Sequence, residues 1–330
     1  AGVVIPVSLL IATVTQFDTR AFREPTLTGA LTRAPDIVGP IEEVGDRFQA
    51  YRRQLDAIGR TTFRIYRFLE EQSVVPENAI RVLHISDLHL NPVGYDVSLQ
   101  VARQFNVDLV VDTGDLTAQG TEVEAGFADR IHEFKVPYLF VRGNHDSDAT
   151  VAAVGRQPNA QVLDGELVVV ESLSFYGVSD PLFTPGRSEA LGNREQQQAK
   201  VQHGEQLKDA VVRLAPPPDV VLIHDRAATG GLIGMVPLIL SGHGHRWFSR
   251  NRDETLSLGV GSTGGAGLES LTPTPDNPLS LEVLYFDLGT RKLVAYDRIE
   301  IRGPQQEFRL TRTVLEPDEE KVEAQETSSS

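Results

Sequence analysis

The sequence predicts an α/β fold in which a mixed sheet, or two sheets face to face, carries helices on its outside. Three observations predict it. From residue 81 onward, short apolar runs of strand length alternate with segments of helical spacing. Hairpin signals stand at Asp164-Gly165 and Leu288-Gly289. The chain is 330 residues long and 40% hydrophobic, enough for a sizeable core. One large domain with appendages fits this length better than two equal ones. Residues 1–80 read as an N-terminal extension, 81–302 as the main domain and 303–330 as an acidic tail.

Residues 1–17 (AGVVIPVSLLIATVTQF) are largely apolar and uncharged. A spanning helix needs about 20 apolar residues, and Pro6, Ser8, Thr13 and Thr15 interrupt the run. It therefore reads either as the end of a membrane segment that continues upstream or as a buried strand or helix. Residues 40–71 carry the cleanest periodicity: Ile41, Val44, Phe48, Tyr51, Leu55, Ile58, Thr62, Ile65 and Leu69 alternate steps of three and four. A 3.5-residue repeat predicts one long helix with Pro40 in its first turn, and about 32 residues at 1.5 Å each give a rod of roughly 48 Å. Gly45 and Gly59 weaken it by up to about 1 kcal/mol each. Such a helix either lies on its own domain or serves as a stalk or homodimer coil.

Strands are expected at 81–86, 108–112, 137–142, 220–223 and 236–241, and helices at 96–105 and 122–134, the second through Val123, Phe127, Ile131 and Phe134. Residues 279–287 and 292–301 are expected to pair around Leu288-Gly289. Residues 316–330 carry six acids, one lysine and no aromatic. Such a segment cannot offset the entropy of ordering and is expected to be disordered.

The absence of cysteine excludes disulfides, thiolate nucleophiles, zinc fingers and iron–sulfur centres. A net charge of −15 opposes binding to nucleic acid, whose affinity rests on lysine and arginine neutralising phosphates. No nucleic-acid partner is expected, and phosphate chemistry would need its own local cations.

The chemistry-bearing residues stand immediately after the predicted strands. Asp87 and His89 follow the first, Gly114-Asp115 the second, Gly143-Asn144-His145-Asp146 the third, His224 the fourth and Gly242-His243-Gly244-His245 the fifth. Ligands of open α/β sheets gather at the carboxyl ends of strands, so these groups are placed to converge. Five of the eight histidines fall in these junctions, which points to a metal site. Asp87 and His89, two residues apart, can face one ion from an extended segment. Asp115 can place its two oxygens on two ions about 3.5–4 Å apart. Asn144 adds a neutral oxygen, and His243 and His245 can divide between the ions. Imidazole and oxygen ligands without thiolate favour two divalent transition metals, manganese, iron or zinc, over copper(I) or calcium.

The ordered blocks DxH, GD, GNHD, H and GHxH, spread over about 160 residues, resemble those of the calcineurin-like metallophosphoesterases. The resemblance implies a four-layer αββα sandwich and a dinuclear phosphoester hydrolase, a phosphodiesterase or phosphomonoesterase that uses a metal-bridging hydroxide as nucleophile. It assigns Asp87, His89, Asp115 and His245 to one metal and Asp115, Asn144, His224 and His243 to the other. His145 then meets the leaving oxygen, with Asp146 orienting it. The phrases LHISDLHLNP, VPYLFVRGNHDS and GVGSTGGAGLESL resemble membrane-associated actinobacterial members. With the N-terminal run and long helix, that suggests a membrane-tethered, extracytoplasmic enzyme acting on a phosphorylated small molecule or lipid; the alternative location is cytoplasmic. The tyrosine that purple acid phosphatases carry after the GD block is replaced here by Leu116-Thr117-Ala118, and GNHD resembles the phosphodiesterase and small-substrate branches more than the GNHE of protein phosphatases. The alternative function is a non-catalytic binding protein of the same fold.

Residues outside these blocks receive plainer readings. The glycine-rich stretch 261–267 lacks the GK[ST] ending of a phosphate loop and reads as a turn at the site rim. His84 reads as a satisfied core histidine, and His132 and His203 as solvated. Arg142 and Arg226 flank the candidate ligands and could grip phosphate oxygens.

Overall fold

The computed structural model describes residues 75–76, 78–184, 193–265, 278–302 and 307–315. The apolar run 1–17, the long helix expected at 40–71 and the acidic stretch 316–330 lie outside the described residues.

The first half of the main domain is built of strand–helix units. β1 (Ile80–Ile85), β2 (Leu109–Asp112), β3 (Tyr138–Phe140) and β4 (Ala160–Val162) run parallel. Between them lie α1 (Pro92–Gln104), the short α2 (Glu122–Ala125), which continues as a 3₁₀ stretch to Phe134, and α3 (Asp148–Gly155). The second sheet holds β5 (Glu166–Val170), β6 (Leu173–Val178), β7 (Val220–Ile223), β8 (Leu238–Ser241), β9 (Phe248–Arg252) and β10 (Thr255–Gly259), with α4 (Asn193–Val212) between β6 and β7. β11 (Leu279–Phe286), β12 (Leu293–Arg302) and β13 (Glu307–Val314) then return to the first sheet, whose order is β13-β12-β11-β1-β2-β3-β4. The second sheet runs β5-β6-β7-β8-β10-β9.

Strand periodicity distributes the core into layers. Val82, Leu109, Val111, Leu139 and Leu284 of the first sheet face Phe175, Val220, Leu222, Leu240 and Leu258 of the second. The alternate residues Leu83, Ile85, Val110, Tyr138 and Phe140 pack on Tyr95, Leu99, Phe105, Ile131 and Phe134 of the first helical layer. Val221, Ile223 and Ile239 pack on Leu207 and Val211 of α4. Helix, sheet, sheet and helix form the expected four layers, and all eight residues of β11 are buried. Among the described residues no helix is long and apolar enough to cross a membrane.

Several expectations are corrected. The helix expected from residue 96 starts at Pro92, because the Asn91 side chain accepts the Val93 N–H at 2.9 Å and Pro92 suits a first turn. The segment 122–134 is helical only as one α-turn, closed by the reciprocal Thr121–Glu124 cap; beyond Gly126, a weak helix former, it tightens into 3₁₀ winding. Asp164-Gly165 does not make a hairpin. β4 pairs with β3 in one sheet and β5 with β6 in the other, so these two residues carry the chain between sheets. The hairpin is one strand later, where Glu171 and Ser172 both take positive φ (48° and 68°), as a two-residue turn matched to strand twist requires.

The boundary at residue 302 is also corrected, since β13 pairs with β12 over eight residues. Arg312 explains its hold. Its guanidinium meets Asp297 in two parallel bonds, Nε to Oδ1 at 2.7 Å and Nη2 to Oδ2 at 2.6 Å, and Nη2 also donates to the Tyr285 hydroxyl at 3.1 Å. Asp297 is fully buried. Arg312→Ala is therefore expected to leave the buried carboxylate without its countercharge, the Tyr285 hydroxyl still donating to Oδ2 at 2.6 Å, and to cost about 3–5 kcal/mol, read as a lower denaturation midpoint. Arg312→Lys should restore only part of it, because an ammonium lacks the planar fork. An unchanged midpoint in Arg312→Ala would show that β13 does not depend on this pair.

Candidate metal centre

The strand ends bring together every candidate ligand that the sequence nominated. Asp87, Asp115, Asn144 and His224 are buried, His89 nearly so, and the side chains of His243 and His245 are each more than a third exposed. The donors fall into two groups. In the first, His245 Nε2 lies 3.1 Å from Asp87 Oδ1 and 3.2 Å from His89 Nε2, which is itself 3.7 Å from Asp115 Oδ2. In the second, His224 Nε2 lies 3.2 Å from Asp115 Oδ2 and 3.0 Å from Asn144 Oδ1, which is 2.9 Å from His243 Nδ1. A single oxygen, Asp115 Oδ2, thus stands between the two groups.

The expected geometry of Asp87 and His89 needs correction. Neither lies in an extended segment: φ is 54° at Asp87 and 43° at His89, and Asp115 (61°), His243 (64°) and His245 (50°) share the left-handed region. Such backbone costs about 1–3 kcal/mol per residue and persists only where the surroundings over-determine it. Here they do. Asp87 and His89 donate their N–H groups to the carbonyls of Gly114 and Asp115 at 2.8 and 3.0 Å, and the His243 N–H donates to Asp87 Oδ2 at 2.9 Å. The loops also touch where only glycine fits. A Cβ at Gly143 would stand 2.2 Å from Asp115 Oδ1, and one at Gly242 would stand 1.8 Å from Ser86 Oγ.

Hydrogen bonds at the far side of each ring set its tautomer. His89 Nδ1 is 3.1 Å from the Thr117 carbonyl and His224 Nδ1 is 2.7 Å from that of Thr113. A carbonyl only accepts, so both rings carry the proton on Nδ1 and turn Nε2 to the centre. Asn144 donates from Nδ2 to Thr184 Oγ1 at 2.7 Å, which turns its Oδ1 inward. His243 reverses the pattern: its Nδ1 faces the centre and its Nε2 lies 3.6 Å from Asp225 Oδ2, itself 2.5 Å from Lys200 Nζ of α4.

Electrostatics agree with a cation site. Burial opposes charge on Asp87, yet His245 and His89 hold its carboxyl well below the usual range. Burial likewise opposes charge on His89, but Asp87 and Asp115 lift its pKa to about 9. Asp87 Oδ1 is buried and accepts no hydrogen bond, and imidazole nitrogens converge at 3.2 Å both between His89 and His245 and between His243 and His224. Converging lone pairs and an orphaned carboxylate oxygen fit a divalent cation in each group, and the mixed nitrogen and oxygen donors suit a transition metal.

His145 and Asp146 behave differently from one another. His145 donates from Nδ1 to the Ala118 carbonyl at 2.7 Å, and its ring stands edge-on to His89 at 5.0 Å between centroids. Asp146 does not orient that ring. Its fully buried carboxylate instead collects the N–H groups of Asp115, Thr117 and Gly143 at 2.7, 3.0 and 3.1 Å and the Thr117 hydroxyl at 2.9 Å. It holds the turn that carries Asp115, in place of the orienting role that the resemblance implied.

The structure also supplies partners around the site that the sequence did not reveal, and it bears out the reading of His84. His84, fully buried, bonds Thr113 Oγ1 and Glu282 Oε2 at 3.1 Å each, and Trp247 donates to Glu282 Oε1 at 2.6 Å. His84 is thus a satisfied core residue beneath the site. Glu282 lies 198 positions from it, and no local pattern joins the two. Asp225 could have been suspected from its place beside His224, Lys200 could not. His203 is not fully solvated, for its Nε2 is buried. Of the stretch 261–267, residues 261–265 form a turn that is buried instead of lying at a rim, with the Thr263 and Gly264 N–H groups donating to the Ser86 and Asp87 carbonyls at 2.8 and 3.1 Å; 266 and 267 lie outside the described residues.

The family model described as calcineurin-like phosphoesterase matches residues 80–247. Similar solved structures include an archaeal phosphodiesterase, 14% identical, covering 67% of this chain and 100% of its own, with a TM-score of 0.42. A dimetal phosphatase from Danio rerio is 13% identical, covers 70% of this chain and 98% of its own, and has a TM-score of 0.45. The vacuolar protein sorting 29 of Cryptosporidium parvum is 15% identical, covers 72% and 99%, and has a TM-score of 0.37. No curated protein matches the chain.

Proposed function

The chain belongs to the calcineurin-like phosphoesterase family, and from that premise we propose that it hydrolyses phosphoesters at a centre of two divalent cations. The observation that carries this reading is Asp115 Oδ2, shared between two clusters that each offer at least three donors within 4.8 Å of one another. Asp87, His89, Asp115 and His245 would hold one cation, and Asp115, Asn144, His224 and His243 the other. Manganese, iron or zinc bound there would neutralise phosphoryl oxygens and acidify a water towards neutral pH.

The remaining work falls to the chain. His145, with Nδ1 committed to Ala118 and its ring edge-on to His89, keeps Nε2 for the departing alkoxide. Asp146 acts one step back by fixing the Asp115 turn. Asp225 and Lys200 steady His243 from outside. The substrate proposed is a phosphorylated small molecule or lipid, met without a nucleic-acid partner because the chain is strongly acidic.

Hydrolysis of p-nitrophenyl phosphate and bis-p-nitrophenyl phosphate tests the reading and separates monoesterase from diesterase. Turnover of at least one is expected with added manganese, is lost with a chelator and returns on resupply of the metal. No turnover with manganese, iron or zinc, despite two ions measured per chain, would leave a binding protein of the same fold.

A further inference from the structure

The two arginines that flank the candidate ligands have different fates. Arg142 turns to Asp148, with Nη1 2.9 Å from Oδ1. Arg226, two residues after His224, stays exposed. Its guanidinium lies 4.3 Å above the Phe248 ring, and the Arg250 guanidinium stands 6.0 Å from the same ring. Among the described residues no carboxylate pairs with Arg226, Arg246 or Arg250.

Three features make Arg226 more than a surface cation. The Phe248 ring 4.3 Å away steadies the guanidinium by a cation–π contact, which narrows the space its donors sweep. That edge is next to the centre: Nη1 is 3.5 Å from the place where a Cβ on Gly244 would stand, and Gly244 separates His243 from His245. With no side chain at Gly244 the approach is open. Finally, residues 242–252 (GHGHRWFSRNR) contain three arginines and no acid, in a chain where acids outnumber bases 46 to 31. Of these, Arg252 is partnered by Asp253 at 3.2 Å, which leaves Arg246 and Arg250 two residues to either side of Phe248.

We propose that Arg226, braced by Phe248 and joined by Arg250, is a subsite for a second anionic group of the substrate, so that the preferred soluble substrates are phosphoesters carrying a further phosphate or carboxylate beside the one cleaved. The proposal rests on the hydrolase reading, in that the cleaved phosphate lies at the paired clusters. A planar fork held in place forms two parallel bonds with a phosphate or carboxylate, and charge-assisted bonds of this kind are about twice as strong as neutral ones.

The test compares fructose 1,6-bisphosphate with fructose 6-phosphate, used as probes that differ by one phosphate. Competitive inhibition of nitrophenyl ester hydrolysis and thermal-shift stabilisation of the manganese-loaded protein are both read. The wild type should favour the bisphosphate by about tenfold. Arg226→Ala should bring that ratio near one, chiefly by weakening the bisphosphate, Arg226→Lys should recover part of it, and Phe248→Leu should lower it without removing a charge. Taking ratios between variants cancels any metal chelation by the probes. An unaltered ratio in Arg226→Ala, or an equal loss on both probes, would overturn the subsite, the latter because Arg226 would then grip the cleaved phosphate itself. Arg226-dependent sedimentation with phosphatidylglycerol vesicles, with no bisphosphate preference in solution, would move the anion to a lipid surface and also overturn it. Should wild type turn over neither nitrophenyl ester, the hydrolase reading fails, and the thermal-shift ratio still decides whether Arg226 selects the second anion.

Discussion

Asp115→Asn is expected to cut turnover by about 10²–10⁴, because one oxygen serves two cation sites. An altered support at a single metal typically costs about 10–100-fold, and the product over two centres gives that range. The substitution is close to isosteric, and its side-chain oxygen can still accept the His145 N–H that Asp115 Oδ1 now accepts at 2.8 Å. That choice forces the amide nitrogen into the place of Oδ2, facing His89 and His224, where a donor repels a cation. Circular dichroism should be unchanged and bound metal should fall below two per chain. Near-normal activity with two metals still measured would refute the shared-ligand assignment.

His145→Ala separates binding from chemistry. The ring touches no cluster oxygen, and its fixed contact is the Ala118 carbonyl, so both metals should remain. General acid catalysis contributes about 10²–10⁴-fold, and a loss in that range is expected on esters with alkyl leaving groups. The loss should shrink on nitrophenyl esters, whose oxygen departs with little protonation. Equal losses on both classes would argue against proton donation, and missing metal would mean that His145 is a ligand.

Much of this site was legible because strand-end clustering is a one-dimensional pattern. Apolar runs such as 220–223 are short and bounded, and the polar residues that follow them are of uncommon types, so sequence order sufficed to gather the ligands. What failed depended on pairing partners or on backbone sign. Asp164-Gly165 carries good hairpin residues, yet whether its flanking strands meet is decided by the β3 and β6 edges. β13 is rich in charge and reads as tail, because the carboxylate that receives Arg312 sits fifteen residues away on a neighbouring strand. The left-handed ligands went unread because positive φ is uncommon outside glycine even though aspartate and histidine tolerate it better than most, and here contacts from other loops impose it. The family resemblance gave Asp146 to His145, whereas its acceptor oxygens are taken by backbone N–H groups of the preceding loop, a partnership that no sequence pattern displays.

The first sheet is assembled from both ends of the main domain, with the whole second sheet interposed in sequence. β1 pairs with β2 within thirty residues but with β11 through Ile80 and Phe286. Closing a loop of about two hundred residues costs chain entropy before any pairing rewards it, and folds dominated by such distant contacts form slowly. A ribosome-bound chain that has not yet emitted β11 therefore has β1 with one edge bare from Ile80 to His84, the strand that leads into the turn of Asp87 and His89. The loop of His243 and His245 emerges earlier than the strand that backs β1. A fragment that stops short of β11 thus holds every candidate ligand in its sequence while the β1 edge that β11 covers from Ile80 to His84 stays open.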